Sequence, residues 1–210
     1  MKGDLHIHSK YSPDSTLEPE TIAKVSKSMG LDFIAITDHN AFRQHKFEGI
    51  LAISGEEISS IDGHVLGLFI QGEVRKGKSQ EETVEAIHDL NGIAICAHPF
   101  RRVNGVRGRF RNVYDAIETK NGRCGRKCNG RAVSLSIDIL KPQTAGSDAH
   151  FYEEIGRVFM EVEAGDEESL RKEILSGHTK LYGRDLSLTG NISLYFKLGR
   201  DYISRGFKRI

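Results

Sequence analysis

The sequence predicts an α/β fold whose strands form a parallel sheet closed into a barrel, and three observations carry that expectation. Strand-like and helix-like stretches alternate at short intervals along the chain, the pattern of successive βαβ units. Asp32 to Thr37 is a nearly continuous apolar run and Ile93 to Ala97 reads as another buried strand, as expected when both faces of a parallel sheet are covered. About seven strand-like stretches carry polar groups at their C-terminal tips, and in a barrel those tips share one mouth, where active sites of that architecture lie.

Gly3 to His8 is the first strand. Residues two apart point to one side of a strand, so His6 and His8 leave its end together as half of a metal site. A polar loop from Ser9 to Leu17 leads to a helix with Pro19 at its first position, Ile22, Val25 and Met29 at helical spacing, and Gly30 at its C-terminal cap. Asp32 to Thr37 is a second strand, ending in Asp38-His39-Asn40. Ile50 to Ser54 is a third, ending in Gly55-Glu56-Glu57, and a fourth begins at His64. Ser79 and Glu82 form a capping-box pattern for a helix that runs to Asn91 and stops at Gly92. Ile93 to Ala97 is another buried strand, ending in His98-Pro99-Phe100. Ala116 to Glu118 is a short strand inside an Arg-, Lys- and Gly-rich segment that passes into a helix over 131–140. Gln143 to Gly146 leads to Ser147-Asp148-Ala149-His150, Val158 to Val162 is a further strand, and Asp166 caps a helix ending at Gly177. Residues 191–210 read as an amphipathic helix with a basic end. No fixed-period repeat, low-complexity tract or linker divides the chain, so 1–210 reads as a single domain.

With 30 basic and 29 acidic residues the net charge is +1, which argues against a globally basic nucleic-acid binder or an acidic tail protein. No run of about 18 apolar residues is present to span a bilayer, and charged residues interrupt the N-terminus at once, so the sequence predicts a soluble cytoplasmic protein with no membrane partner. Of three cysteines only Cys124 and Cys128 are near one another, which fits a reducing compartment rather than a disulfide framework. A zinc-knuckle reading of that pair lacks a second pair of ligands.

The tip residues His6, His8, Asp14, His39, Glu57, His64, His98, Asp148 and His150 mix imidazoles with carboxylates, which suits Zn, Mn or Fe better than Mg. So many ligands exceed the needs of one ion and suffice for two or three divalent ions around a bridging carboxylate, an arrangement typical of phosphoester chemistry. Either Glu56 or Glu57 can be the bridge, and alternation puts them on opposite strand faces. Asp4 shares a face with His6 and either orients an imidazole or serves solubility. Asp38 reads as a turn or supporting group, and Glu118 as a ligand-like strand end or a structural hydrogen-bonding residue. His45, His88 and His178 read as surface or packing residues.

The succession Asp4-Leu5-His6-Ile7-His8-Ser9, Thr37-Asp38-His39-Asn40, Gly55-Glu56-Glu57-Ile58, His64-Val65-Leu66-Gly67, Ala97-His98-Pro99 and Gly146-Ser147-Asp148-Ala149-His150 resembles the PHP (polymerase and histidinol phosphatase) metal-dependent phosphoesterases. The resemblance covers residues 4–150 and implies a distorted (β/α)7 barrel with a trinuclear metal site at the C-terminal ends of the strands. Position by position, it implies one ion on His6, His8, Glu57 and Asp148. A second would lie on Glu57, His64 and His98, with Glu57 bridging, and a third on Asp14, His39 and His150. The Gly-x-Glu spacing of the family favours Glu57 over Glu56. Many members carry His where this chain has Asp14, a harder ligand.

Divalent ions bring a bridging water close to neutrality, so the expected reaction is in-line attack of a metal-bridging hydroxide on a phosphate ester. Arg101 and Arg102, directly after His98-Pro99-Phe100, offer guanidinium groups to the phosphate, and His39, His150 or a metal-bound water can protonate the leaving oxygen. Ten of the 31 residues from Arg101 to Arg131 are Arg or Lys, which favours a small nucleotide-like substrate or a short single-stranded oligonucleotide. Phe100, Phe110 and Tyr114 are candidate stacking faces for a base. Histidinol-phosphate phosphatase accounts for the metals but not for the basic segment. A non-catalytic, metal-stabilised nucleic-acid-binding module accounts for the basic segment but not for a complete ligand set. An amidohydrolase wants a carbamylated lysine, and only Lys120 lies near a strand tip.

Overall fold

Two five-stranded mixed sheets are built from the described residues of the computed structural model, which are 1–106, 108, 110–187 and 199. In chain order the elements are β1 (Lys2–Ile7), α1 (Pro19–Ser28), β2 (Phe33–Ile36), β3 (Leu51–Ile53), β4 (Gly55–Ser60), β5 (Gly63–Leu68), α2 (Gln80–Asp89), β6 (Ile93–Cys96), β7 (Ala116–Asn121), α3 (Arg126–Asp138), β8 (Gln143–Gly146), a 3-10 turn (Tyr152–Glu154), β9 (Val158–Val162), α4 (Glu167–Ser176) and β10 (Thr179–Gly183). One sheet has the order β10-β9-β1-β2-β3 and the other β4-β5-β6-β7-β8.

Part of the expected parallel pairing is present: β1 with β2, β2 with β3, β6 with β7 and β7 with β8. The closed (β/α)7 barrel is not. Only Ile61-Asp62 joins β4 to β5, and so short a link permits a hairpin return but no crossover, so that pair is antiparallel. Strand β9 is antiparallel to both β1 and β10. The sheets meet at two seams, each marked by a single bridge, Ile7 with Ala149 and His39 with Glu57, and they do not close. Two local expectations also change. Glu57 is not at a strand tip but inside β4, opposite Leu66. Helix α3 starts at Arg126, before the expected 131, and carries Gly130 in its interior. The expected helix over 191–210 lies outside the described residues.

Alternation sorts the apolar runs into layers. Phe33 and Ala35 of β2 face Leu5, Leu66, Leu68, Ile93 and Ile95 between the sheets, while Ile34 and Ile36 pack with Ile22 and Ala23 of α1. Ala94 and Cys96 of β6 pack with Val84 and Ile87 of α2. Both faces of these strands are buried, hence their unbroken hydrophobicity. The cap signals act as expected: Ser79 and Glu82 bond reciprocally at the start of α2, and Gly177 takes a φ of +73° past the end of α4. Among the described residues no helix is long and apolar enough to cross a membrane.

Gly146 lets β8 pass against β1. A Cβ at this position would overlap the Cβ of His6, so something must shift. Gly146→Ala is expected to cost about 2 to 4 kcal/mol of stability, read from denaturant midpoints. A cost under about 0.5 kcal/mol, the level of a neutral surface change, would show that the approach is not tight.

Candidate metal centre

The nine candidate ligands arrive from seven places in the chain. Strand β1 delivers His6 and His8, the loop before α1 Asp14, the end of β2 His39, the interior of β4 Glu57, the start of β5 His64, the end of β6 His98, and the segment after β8 Asp148 and His150. The side chains converge in four overlapping groups: His8, Asp14, His39 and His150; His6, His8 and Asp148; His6, Glu57 and His98; His39, Glu57 and His64. In each group one donor atom per residue lies within 4.8 Å of the others. Glu57 is the hub. Its Oε2 is 3.2 Å from Nε2 of both His6 and His8 and 3.1 Å from Nδ1 of His39. Its Oε1 is 2.7 Å from Nδ1 of His64 and 3.0 Å from Nε2 of His98. Asp14 Oδ2 stands 3.0 Å from Nε2 of His150 and 3.4 Å from Nε2 of His39.

This donor set fits divalent cations. Nε2 of His6 and Nε2 of His8 face each other at 3.1 Å beside a carboxylate oxygen, and such converging lone pairs need a cation or a proton between them. Asp14 Oδ1 and His98 Nδ1 are buried with no hydrogen-bond partner among the described residues. Burial alone would raise the Glu57 carboxyl, but His39, His64 and His6 hold it well below the usual range. Burial also opposes ionised Asp148, which Arg101 and His6 keep low. Burial would lower His8, yet Asp148 and Glu57 lift it to about 9, whereas burial, His8 and Arg123 bring His150 down to about 4. Protons and cations compete for the same lone pairs, so metal uptake releases protons and strengthens as pH rises.

A ring of polar groups aims the imidazoles. Glu118 Oε1 pairs with His6 Nδ1 at 2.9 Å and its Oε2 accepts from the His98 backbone N–H at 2.8 Å. Ser12 Oγ meets His8 Nδ1 at 2.9 Å and accepts from the His39 N–H at 3.0 Å. The Asn121 amide donates to Glu118 Oε2 and Asp148 Oδ2. Such contacts fix tautomer and direction. Ser12 and Asn121 escape the sequence reading because nothing in their spacing marks them. The available signal for Glu118 is its expected place at a strand end, although β7 runs on to Asn121 and puts Glu118 in the strand's interior. His98 and Asp148 sit at φ +27° and +55°, a region costly for side-chain-bearing residues, and their backbone N–H groups are held by Glu118 and by the His6 carbonyl.

Other candidates fall outside the cluster. Asp4 touches no imidazole; it accepts from the backbone N–H groups of His6, Ser147 and Gly156 and so ties β1 to the chain after β8. Asp38 accepts from the Ser9 N–H and hydroxyl. His45 stacks on Phe47, His88 pairs with Asp115, and His178 with Glu173. Tyr114 is buried in the core with Phe110 packed on it, so this pair offers no face to a base; Phe100 lies under the Arg131 guanidinium at 4.2 Å. Lys120 lies 3.9 Å from Asp185 and belongs to none of the metal-capable groups among the described residues, nor do Cys124 and Cys128. Arg101 Nη1 donates to Asp148 Oδ2, whereas Arg102 is exposed.

Glu56 faces away from Glu57, fully buried, with the Val74 N–H as donor to one oxygen and no hydrogen-bond partner on the other among the described residues. Burial pushes its carboxyl up to about 7. A group whose folded value is raised stabilises fully below its unfolded value and loses that contribution as pH climbs through the folded one. Glu56→Gln does not titrate, so its stability advantage over wild type should widen between pH 5 and pH 8 by about 1 to 3 kcal/mol. Urea unfolding of metal-free protein at both pH values measures it, and a constant gap would refute it.

Comparison with known proteins places this geometry. The family model described as PHP domain matches residues 4–58 and the model described as PHP-associated matches residues 127–179. An uncharacterized protein of Methanocaldococcus jannaschii is 43% identical over 117 residues, which is 48% of this chain and 68% of the relative. A two-domain Bacteroides vulgatus protein containing a predicted PHP-like metal-dependent phosphoesterase superposes with a TM-score of 0.69 at 19% identity, covering 94% of this chain and 69% of that one. The lesion-specific endonuclease Q of Pyrococcus furiosus superposes with a TM-score of 0.63 at 19% identity, covering 92% and 66%. An endonuclease Q complex holds a 27-mer duplex substrate with an abasic lesion at its active site; its TM-score is 0.67 at 20% identity, with the same 92% and 66% coverage. At these identities the structural likeness is one of fold. The family models and the Methanocaldococcus relative, taken with the convergent histidine and carboxylate cluster, show that this chain belongs to the PHP domain family.

Proposed function

We propose that the chain is a metal-dependent phosphoesterase acting on a small nucleotide-like or short oligonucleotide phosphate ester. The observation that carries the reading is the Arg101 guanidinium on Asp148, at the edge of a cluster of six imidazoles and three carboxylates. His6, His8, Glu57 and Asp148 would hold one ion, Glu57, His64 and His98 a second, and Asp14, His39 and His150 a third, with Zn, Mn or Fe suited to the mixed donors. When bound, the ions supply a water of lowered pKa and positive charge beside the phosphoryl oxygens.

The chain's own residues do the rest. Arg101 turns its fork from Asp148 to a phosphoryl oxygen, and Arg102 meets the substrate further out. A proton for the leaving oxygen comes from His39 or His150 while that imidazole carries no ion. Of the two, the His39 side chain is 15% exposed against 2% for His150 and reaches the mouth. The basic segment from Arg101 to Arg131 and the abasic-DNA substrate of the endonuclease Q complex favour a nucleotide or nucleic-acid phosphate over histidinol phosphate.

The test is a phosphate-release screen on chelator-treated protein, with Mn, Zn or Fe restored, over nucleoside monophosphates and bisphosphates, short oligonucleotides and histidinol phosphate. Release is expected only with added metal and fastest from nucleotides. Oligonucleotide binding without turnover of any substrate would establish the non-catalytic module instead.

A further inference from the structure

Two thiols beside the metal centre have no part in that chemistry. Sγ of Cys124 and Sγ of Cys128 lie 2.9 Å apart as free cysteines. A disulfide bond measures about 2.05 Å, so closure needs a movement of about 0.9 Å. Cys124 lies just before Gly125, the N-cap of α3, and Cys128 in its first turn with its N–H on the Gly125 carbonyl, so the first sulfur belongs to the loop between β7 and α3 and the second to the helix. Cys124 is buried and Cys128 half-buried, within reach of a small reagent. Cys96 is sealed in the core.

The end of β7, just before the loop that carries Cys124, also supports the centre. Asn121 donates to Asp148 Oδ2 and Glu118 Oε2. Asn129, next to Cys128, accepts from the Asn121 N–H at 3.2 Å and donates to the carbonyls of Asn121 and Cys124 at 3.2 and 3.4 Å. A shift of Cys124 on Cys128 is thereby passed to Asn121 and on to Asp148.

We propose that Cys124 and Cys128 form a reversible dithiol–disulfide site, oxidised by low-molecular-weight disulfides, whose reduced state is the one that favours metal on Asp148. The coupling to metal rests on the proposed function; the thiol chemistry does not. With the Cys124 thiol hydrogen-bonded to it and Arg101 and Arg131 nearby, Cys128 ionises below its ordinary value and is the attacking sulfur. Its thiolate attacks one sulfur of the reagent disulfide and expels one thiolate. Cys124 then loses its proton to solvent and attacks the Cys128 sulfur of the mixed disulfide, expelling the second. Two protein S–H groups are oxidised to one S–S bond, and one reagent disulfide is reduced to two thiols.

The experiment equilibrates the full chain in buffers of oxidised and reduced glutathione, traps free thiols with an alkylating agent and counts labels by mass spectrometry, with and without Mn2+ whose uptake is measured in the same samples. Cys124 and Cys128 are expected to lose their labels together in a single two-electron transition with the loss of two hydrogens, Cys96 staying labelled once the trapped protein is unfolded. Cys124→Ser and Cys128→Ser variants should form no internal disulfide. Independent oxidation of the two cysteines, only mixed disulfides with glutathione, or no oxidation in any buffer overturns the site. Bound Mn2+ should raise the midpoint potential, and a tenfold preference for the reduced form reads as about 30 mV. A midpoint unmoved by bound Mn2+ overturns the coupling. Failure of the reduced protein to take up Mn2+ counts against the proposed function, while the labelling result still decides the dithiol site.

Discussion

Glu57→Gln is expected to remove at least one divalent ion per chain and to lower phosphate release on the order of 1000-fold or more. The reason is the position of one carboxylate among five imbricated imidazoles: His6, His8, His39, His64 and His98 all stand between 2.7 and 3.2 Å from its oxygens. Loss of a group that merely orients a ligand costs about 10- to 100-fold in metal affinity or activity. Glu57 is shared by two of the metal-capable groups, so its neutralisation removes charge from both. Gln keeps the volume and one acceptor oxygen, so the fold should survive in circular dichroism. Elemental analysis after equilibration with Mn or Zn, beside turnover of the best substrate, decides the matter. A variant that retains the wild-type metal content would remove Glu57 from the bridging role.

The second large effect separates two neighbouring arginines. Arg101→Ala is expected to lower kcat/KM about 100- to 1000-fold with metal content unchanged, roughly 2.7 to 4 kcal/mol of transition-state stabilisation. Arg102→Ala should stay within about threefold, as an exposed charge in screened solvent does. The contrast follows from placement: Arg101 is bonded to buried Asp148, whereas Arg102 points to solvent. Burial would lower the Arg101 guanidinium, but Asp148 and Glu57 keep it firmly charged, so its charge is constant over the working pH range. Steady-state kinetics of both variants on one substrate provide the test. Equal effects, or none from Arg101→Ala, would return Arg101 to the role of a counter-ion for Asp148.

The candidate site was more legible than the topology. His6 and His8 announce themselves because a strand repeats every two residues and both rings must leave on one side. His39 and His98 follow unbroken apolar runs, and such runs are strands buried on both faces whichever way they are paired, while Asp148 and His150 follow the shorter, more polar Gln143–Gly146. Pairing direction is another matter. Glu57 looked like a tip because Gly55 reads as a break after Ile53, yet the chain goes straight from β3 into β4 and turns back at Ile61-Asp62. Tyr114 shows the converse error: an aromatic near a basic segment reads as a base-stacking surface until burial puts it in the core.

By itself, then, the amino-acid order determined the alternation of elements, their caps and the identities of nine side chains suited to divalent ions, since all of these depend on local periodicity and donor chemistry. Only the tertiary structure decided that the sheets stay open, that Glu57 is the hub, that Ser12 and Glu118 hold the rings with Asn121 on Glu118 and Asp148, and that two thiols meet at the start of α3. Those facts are contacts between residues up to more than a hundred positions apart, as between His6 and Glu118, and local spacing carries no information about which distant strands come to lie side by side.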